Sequence, residues 1–454
     1  MAEGSTGEGF ETFILIQNPN GTPAPTAVAF ATEDGIQTGT QLVIPPLSRT
    51  TLRLSDFMPD EWSISTLVAS EVPVVVERSM YWNRNQADYP YEMMSGHADL
   101  GLPAPMSTGF KMNAPANRKT DQYFPEGSTA GFDTWILLFN PMQTEAKAKV
   151  TLMDTTGPVL TQDVTVGPLS RQTVHLNKLL PDANEVAAEV ESETFLVAER
   201  SMYWDPEASA RQPYQMTGGH ATSGSPFAAR DWYLAEGSTG GGFETYVLLQ
   251  NPGDTEASVE AAFMTDKGKA DQASFTMPPG SRSTLKVSDH VPDTFQVSTS
   301  ITSDKPVVAE RSMYWDRNET SEPWAMKDGH SCVGTTGTSK TWMISEGSTG
   351  AGFDTFVLIT NTEDREAKAT VTFMTDSGPV KPMDIKVGAN SRCTLRVSDY
   401  LPNTFQVSTL IEGDSALVVE RSMYWDTRAV SSEGNFPARP YECIGGHSAN
   451  GMDP

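Results

Sequence analysis

The chain has 454 residues, enough for roughly two to four domains, and Lys+Arg 32 against Asp+Glu 58 give a formal charge of −26. A field of that sign repels phosphate backbones and anionic lipid surfaces, which argues against nucleic acid and against insertion into acidic membranes. Three cysteines without a CxxC pair (Cys332, Cys393, Cys443) exclude a disulfide framework, and no stretch approaches the 18 apolar residues of a membrane-spanning helix. Residues 1–20 lack the basic and then apolar segments of a signal peptide.

Four copies of one unit run along the chain. The tetrapeptide EGST begins at Glu3, Glu126, Glu236 and Glu346, at intervals of 123, 110 and 110. The hexapeptide ERSMYW begins at Glu77, Glu199, Glu310 and Glu420, and a Gly-His pair closes each copy at His97, His220, His330 and His447. The 13 extra residues of the first interval follow His97 in a stretch rich in Pro, Ala and Asn, which reads as a mobile linker over residues 98–121. A period near 110 is too long for a solenoid and suits an autonomous domain, so the predicted domains are 1–112, 113–227, 228–338 and 339–454.

Within a copy the hydrophobic period is two. In the third copy, Asp231–Leu234 reads as an opening strand, and Phe243–Leu249 as a second that ends at the turn signal Asn251-Pro252. A third, Ser258–Thr265, reaches the hairpin break Asp266-Lys267-Gly268, which recurs as Glu33-Asp34-Gly35, Thr155-Thr156-Gly157 and Asp376-Ser377-Gly378. A fourth ends at Pro278-Pro279, and Thr284–Val287, Phe295–Thr302 and Val307–Trp315 follow. Seven short strands without a helical pattern predict an all-β chain of four tandem immunoglobulin-like β-sandwich domains of about 110 residues, with a closed barrel as the alternative.

In the ERSMYW strand, alternation sets Arg311, Met313 and Trp315 on one face and Glu310, Ser312 and Tyr314 on the other. Neither face is purely apolar, so the Glu-Arg dipeptide is expected to form ion pairs with neighbouring strands of its own sandwich, with Arg49, Arg171, Arg282 and Arg392 of the SR turns as candidate partners. The outward position of the SR strand is basic in every copy (Arg53, His175, Lys286, Arg396), which predicts cross-strand pairing.

Two sets of residues are candidates for binding. The aromatic pairs Tyr81-Trp82, Tyr203-Trp204, Tyr314-Trp315 and Tyr424-Trp425 have the chemistry of sugar-stacking platforms and equally that of core residues, the favoured reading. His97, His220, His330 and His447 are expected to hydrogen-bond backbone and fix a closing loop; a metal site built from them and the recurrent glutamates lacks a spacing that forces convergence. No catalytic residue is assigned: G-x-S-x-G is absent, and EGSTG has neither a base for its serine nor the lysine of a phosphate loop. No cofactor is expected, with calcium held by the surplus carboxylates as the open alternative.

The ordered set EGST, Asn-Pro, SR.T, ERSMYW and GGH resembles an uncharacterised tandem-repeat β-domain of bacterial secreted and cell-wall-associated proteins, and the resemblance spans essentially the whole chain. It implies an extracellular or cell-surface location and names no catalytic residue. The expected function is a noncatalytic extracellular repeat protein, acting as spacer, adhesin or building block of a surface or filamentous assembly. Its partners are then proteins or further copies of itself. The alternative is a carbohydrate-binding accessory array that meets cell-wall glycan. Ala2-Glu3-Gly4 aligns with Ala235-Glu236-Gly237, so the first copy is expected to lack its opening strand and expose a sheet edge, as in a block taken from a longer precursor.

Overall fold

A computed structural model describes residues 1–82, 95–102, 119–204, 218–315, 328–350, 352–375, 378–380, 382–425 and 445–452. Most of the linker read after His97, together with Cys443 and the Asp376-Ser377 break, lies outside the described residues.

Each copy is a sandwich of two antiparallel sheets, and the second copy shows the plan. One sheet has the order Pro158–Val166, Ala146–Met153, Ala187–Ser192, Thr120–Phe124. The other has the order Ser170–His175, Asp133–Asn140, Val197–Trp204, Gly218–Ser223. The inner faces meet in a core that includes Ile136, Leu138, Val150, Leu152, Val190 and Leu196. These residues alternate with more exposed neighbours along their strands, as period-two patterning requires. The fold is therefore all-β, in four tandem immunoglobulin-like sandwiches.

Three details depart from the expected strands. The Gly-His segment is an eighth strand rather than a closing loop: Gly218–Ser223 pairs along the whole length of ERSMYW, with His220 opposite Met202. Its glycines permit this, because a Cβ on Gly219 would lie 2.5 Å from the Tyr203 ring. In the third copy the segments read as Phe295–Thr302 and Val307–Trp315 form one strand, Ser298–Trp315. Its first half pairs with the opening strand Ala229–Leu234 and its second half with Asp328–Val333. A short helical turn follows the SR strand in each copy, at Leu54–Asp56, Leu176–Leu179, Val287–Asp289 and Val397–Asp399.

Among the described residues, the sheet of the first copy that corresponds to the four-stranded one of the second has three strands, Gly35–Ile44, Ala24–Thr32 and Ser65–Ser70. The chain gathers into two compact units, one holding most of residues 1–227 and the other residues 228–454. Inside each unit two copies pack on each other. Ala29, Ala31 and Leu67 of the first copy share an apolar cluster with Phe139, Phe195 and Val197 of the second. In the other unit, Ala235 of the third copy packs with Leu358 and Val418 of the fourth.

Candidate functional site

The recurrent polar residues converge on these two within-unit joints, and strand alternation explains how. Leu196 and Ala198 lie in the core of the second copy, whereas Phe195 and Val197 lie in the cluster shared with the first. Continuing the alternation, Arg200 turns inward and Glu199 and Tyr203 turn toward the first copy. Both faces of ERSMYW are covered, which is why neither is purely apolar and why all of Val197–Trp204 is buried.

In the first, second and fourth copies the inward arginine reaches partners of its own copy, whereas Arg311 of the third reaches Ser448 and Glu420 of the fourth. Arg200 reaches the Glu126 carboxylate at 2.9 Å and Nδ1 of His220 at 3.4 Å. Arg78 likewise lies 3.4 Å from Glu3 and 3.3 Å from Nδ1 of His97. In the fourth copy Arg421 meets Glu346 at 3.0 Å and His447 at 2.7 Å. One arginine thus ties together the EGST glutamate and the closing histidine, motifs about 75 and 20 positions away in sequence.

The outward glutamate crosses the joint. Glu199 accepts from the backbone N–H groups of Ala2 and Glu3, at 2.6 and 3.1 Å, and from Arg78 at 2.5 Å. Glu420 repeats this in the second unit, accepting from the N–H of Ala235 at 2.6 Å and facing Arg311 at 3.3 Å. The expected ion pairing is present, but Glu199 and Glu420 address the paired copy and not their own sandwich. The SR arginine also departs from expectation: Arg392 donates to the carbonyls of Gly237 and Val297, both at 2.7 Å, and lies 3.8 Å from Glu236 of the EGST loop. The outward bases of the SR strand do pair across strands, Arg53 with Glu11, His175 with Asp133, Lys286 with Glu244 and Arg396 with Asp354.

Burial and charge set the protonation of the joint. Arg78 is desolvated, yet the carboxylates of Glu199, Glu3 and Asp99 outweigh that loss and hold its pKa above the ordinary value. His97 is pushed well below the usual imidazole range by burial and then by Arg78 and His220, which keeps it neutral. Asp99 is raised to about 7 by burial and by Glu199. The Tyr203 hydroxyl donates to Glu3 at 2.5 Å and lies 3.3 Å from Nε2 of His97. The same tyrosine–histidine contact recurs between Tyr424 and His330, at 3.1 Å.

All twelve aromatic and histidine candidates are buried. Trp82, His97 and Tyr203 pack with Phe10 at the joint of the first unit, and Trp315, His330 and Tyr424 with Phe243 in the second. Tyr81 packs on Phe13, Tyr314 on Tyr246, Trp204 on Phe132 and His220, and Trp425 on Phe353 and His447. Exposed rings lie elsewhere: Trp62, Phe295 and Phe405 stand at one aligned position, 40, 46 and 57% accessible, and Phe227 and Tyr400 are exposed as well. The histidine rings meet arginine, tyrosine and serine side chains, where backbone partners were expected, because they sit on strands at the joint. Among the described residues no group of three or more His, Cys, Asp or Glu is placed to hold a metal ion.

Sequence reasoning read the asparagine that ends the second strand as part of a turn signal and missed what its side chain does. Asn18, Asn140, Asn251 and Asn361 are fully buried, and each amide donates to three carbonyls, as Asn140 does to Thr144, Val166 and Gly167 at 2.8, 3.1 and 2.8 Å. The signal was available: the Asn is present in all four copies, whereas the following Pro gives way to Thr362 in the last.

Residues 112–199 and 207–311 match the model of a family of unknown function (DUF5719). No curated protein matches the chain. Among solved structures, Thermotoga maritima 1070 is similar at 19% identity and a TM-score of 0.21, over 25% of this chain and 94% of that one. The Anabaena sensory rhodopsin transducer is similar at 25% identity and a TM-score of 0.17, over 18% and 92%. A tetra-tandem repeat from the extending region of a large adhesion protein is similar at 12% identity and a TM-score of 0.12, over 96% and 93%.

Proposed function

We propose that the chain is a noncatalytic repeat protein that works outside the cell, as a spacer, adhesin or building block of a surface or filamentous assembly. One observation carries this reading: the EGST glutamates, both residues of each Glu-Arg dipeptide, the Tyr-Trp pairs and the closing histidines are all buried, at 8% accessibility or less. A group that turns over substrate or grips a ligand must meet it, whereas these groups meet one another and hold paired copies together. Similar domains in series multiply weak contacts, which suits adhesion and assembly more than turnover. The net charge of −26 points to protein or self contacts and not to nucleic acid.

Electron microscopy of the purified chain tests the reading, with filaments or an ordered lattice as the expected outcome. Dispersed particles together with specific binding on a glycan array would replace it with the carbohydrate-binding alternative. The reading needs no cofactor, so melting profiles with calcium and with a chelator are expected to coincide.

A further inference from the structure

In three copies the inward arginine holds the glutamate of its own EGST loop: Arg78 lies 3.4 Å from Glu3, Arg200 2.9 Å from Glu126 and Arg421 3.0 Å from Glu346. The third copy departs from this. Arg311 donates instead to the Ser448 hydroxyl of the fourth copy at 2.8 Å and faces Glu420 at 3.3 Å. Among the described residues Glu236 keeps one cation, Arg392 at 3.8 Å, beyond hydrogen-bond reach, and its Oε2 accepts no hydrogen bond.

One side chain accounts for the difference. Ser448 stands opposite Ser422 as Ala221 stands opposite Ser201, so the two are equivalent positions of the fourth and second copies. In the first unit Arg78 meets Nδ1 of His97 directly, at 3.3 Å. In the second unit the Ser448 hydroxyl comes between the equivalent pair, 2.8 Å from Arg311 and 3.1 Å from Nδ1 of His330. The serine thus draws Arg311 across the joint and away from Glu236, and an alanine has no hydroxyl to do so.

Glu236 is enclosed among charges and shut from water. Arg311, Arg392 and Glu420 face it, and Tyr424 and His330 complete the cluster. All of these and Ser448 are at 7% accessibility or less, so the site is closed by the described residues of the two copies. A buried carboxylate without a hydrogen-bonded cation bears the cost of its desolvation, which the protonated acid escapes. Burial accordingly raises the Glu236 carboxyl above its ordinary range, against the opposing pull of Arg311 and Arg392.

We propose that Glu236 is a proton-binding site that tightens the joint between the third and fourth copies in acid, and that Ser448 is the positioning residue that creates it. When the carboxyl takes up its proton the buried charge disappears, and Arg311 is left to serve Glu420 and Ser448. The stability that the proton confers is present on the acid side and is lost as pH rises through the raised value. The inference stands on the joint geometry and does not depend on the proposed function.

The test follows the calorimetric transition of residues 228–454 in the full chain between about pH 4 and 8. Glu236→Gln, which cannot ionise, is expected to melt at least about 2 °C above the native chain at the alkaline end, with the gap closing toward the acid end. Ser448→Ala lets Arg311 return to Glu236 and is expected to follow the pH profile of Glu236→Gln, whereas Ser448→Thr keeps the hydroxyl and the native profile. Native and Glu236→Gln curves that run parallel at every pH would overturn the proton site, and a native profile in Ser448→Ala would remove the role of the serine. Proton release on unfolding at neutral pH is a second measure that needs no glutamine variant: the native chain is expected to release more than Ser448→Ala, and equal release refutes the proposal.

Discussion

Arg78 of the first copy and Glu199 of the second meet at 2.5 Å with both side chains at 0% accessibility, 121 positions apart in the chain. Breaking a buried pair by removing one partner leaves a desolvated charge, at a cost of about 3–5 kcal/mol. Glu199→Ala is therefore expected to destabilise copies one and two as a unit, because Glu199 also receives the N–H groups of Ala2 and Glu3. Calorimetry should show the transition of residues 1–227 move down while that of residues 228–454 stays. A shift confined to the second copy, the outcome expected of four independent domains, would contradict the joint.

Two groups, buried His97 and partly buried Asp99, give the first unit opposite pH dependences. Asp99, raised to about 7 by burial and Glu199, stays protonated in the fold between about pH 4 and 7 while the unfolded chain has released that proton. Its contribution is present on the acid side and lost as pH rises through about 7. His97, lowered by burial and then by Arg78 and His220, contributes above about pH 6.5, and that contribution is lost as pH falls. Melting temperatures between pH 4 and 8 should show Asp99→Asn gaining on the native chain as pH rises, and His97→Gln gaining as pH falls. Parallel curves for all three proteins would remove both assignments.

The glycine that ends EGSTG supports an exposed ring. A Cβ on Gly350 would lie 2.9 Å from the Phe405 ring, and one on Gly7 would lie 3.0 Å from Trp62. The second copy is one residue shorter after EGST, with Ala130 following Thr129, and has Asn184 in place of the aromatic. Gly350→Ala is expected to cost about 1–3 kcal/mol by overpacking, and Phe405→Asn added to it should recover most of the loss. Denaturant titration of both single variants and the double variant measures the coupling, and simple additivity would refute it.

The SR turn needs a left-handed residue, and the copies meet that need unequally. Leu47, Leu169 and Asn390 have φ of 51, 53 and 47°, and Gly280 has 61° at the same place. A leucine there is strained, whereas glycine adopts that conformation without a Cβ clash. Leu47 is 76% accessible, so Leu47→Gly surrenders little burial and should raise stability by about 0.5–1 kcal/mol. Gly280→Leu should lower the stability of the other unit by a similar amount. Thermal melts that move in the reverse directions would show that the turn relaxes.

Much of the sandwich was legible because strand formation is local. The run from Phe243 to the turn at Asn251 and the basic outward position of each SR strand could be read from period two and composition, and the folded chain has both. The closing strand escaped detection because Gly-Gly-His has little strand propensity of its own. It becomes a strand only where glycines let it lie close against Tyr203 and its equivalents. The candidate residues were legible as a set, since four copies repeat them, but their roles were not.

Residue order alone determined the fourfold repetition and the alternation of the strands, since each depends on neighbours in sequence or on alignment of one copy with another. The tertiary structure alone decided that copies pair within each unit, and that Glu199 addresses Arg78 and Glu420 addresses Arg311. Glu77, Glu199, Glu310 and Glu420 stand in the same hexapeptide, so no local pattern says which carboxylate crosses to another copy. That choice depends on which outer faces meet once the sheets have formed, a matter of packing between segments more than a hundred residues apart.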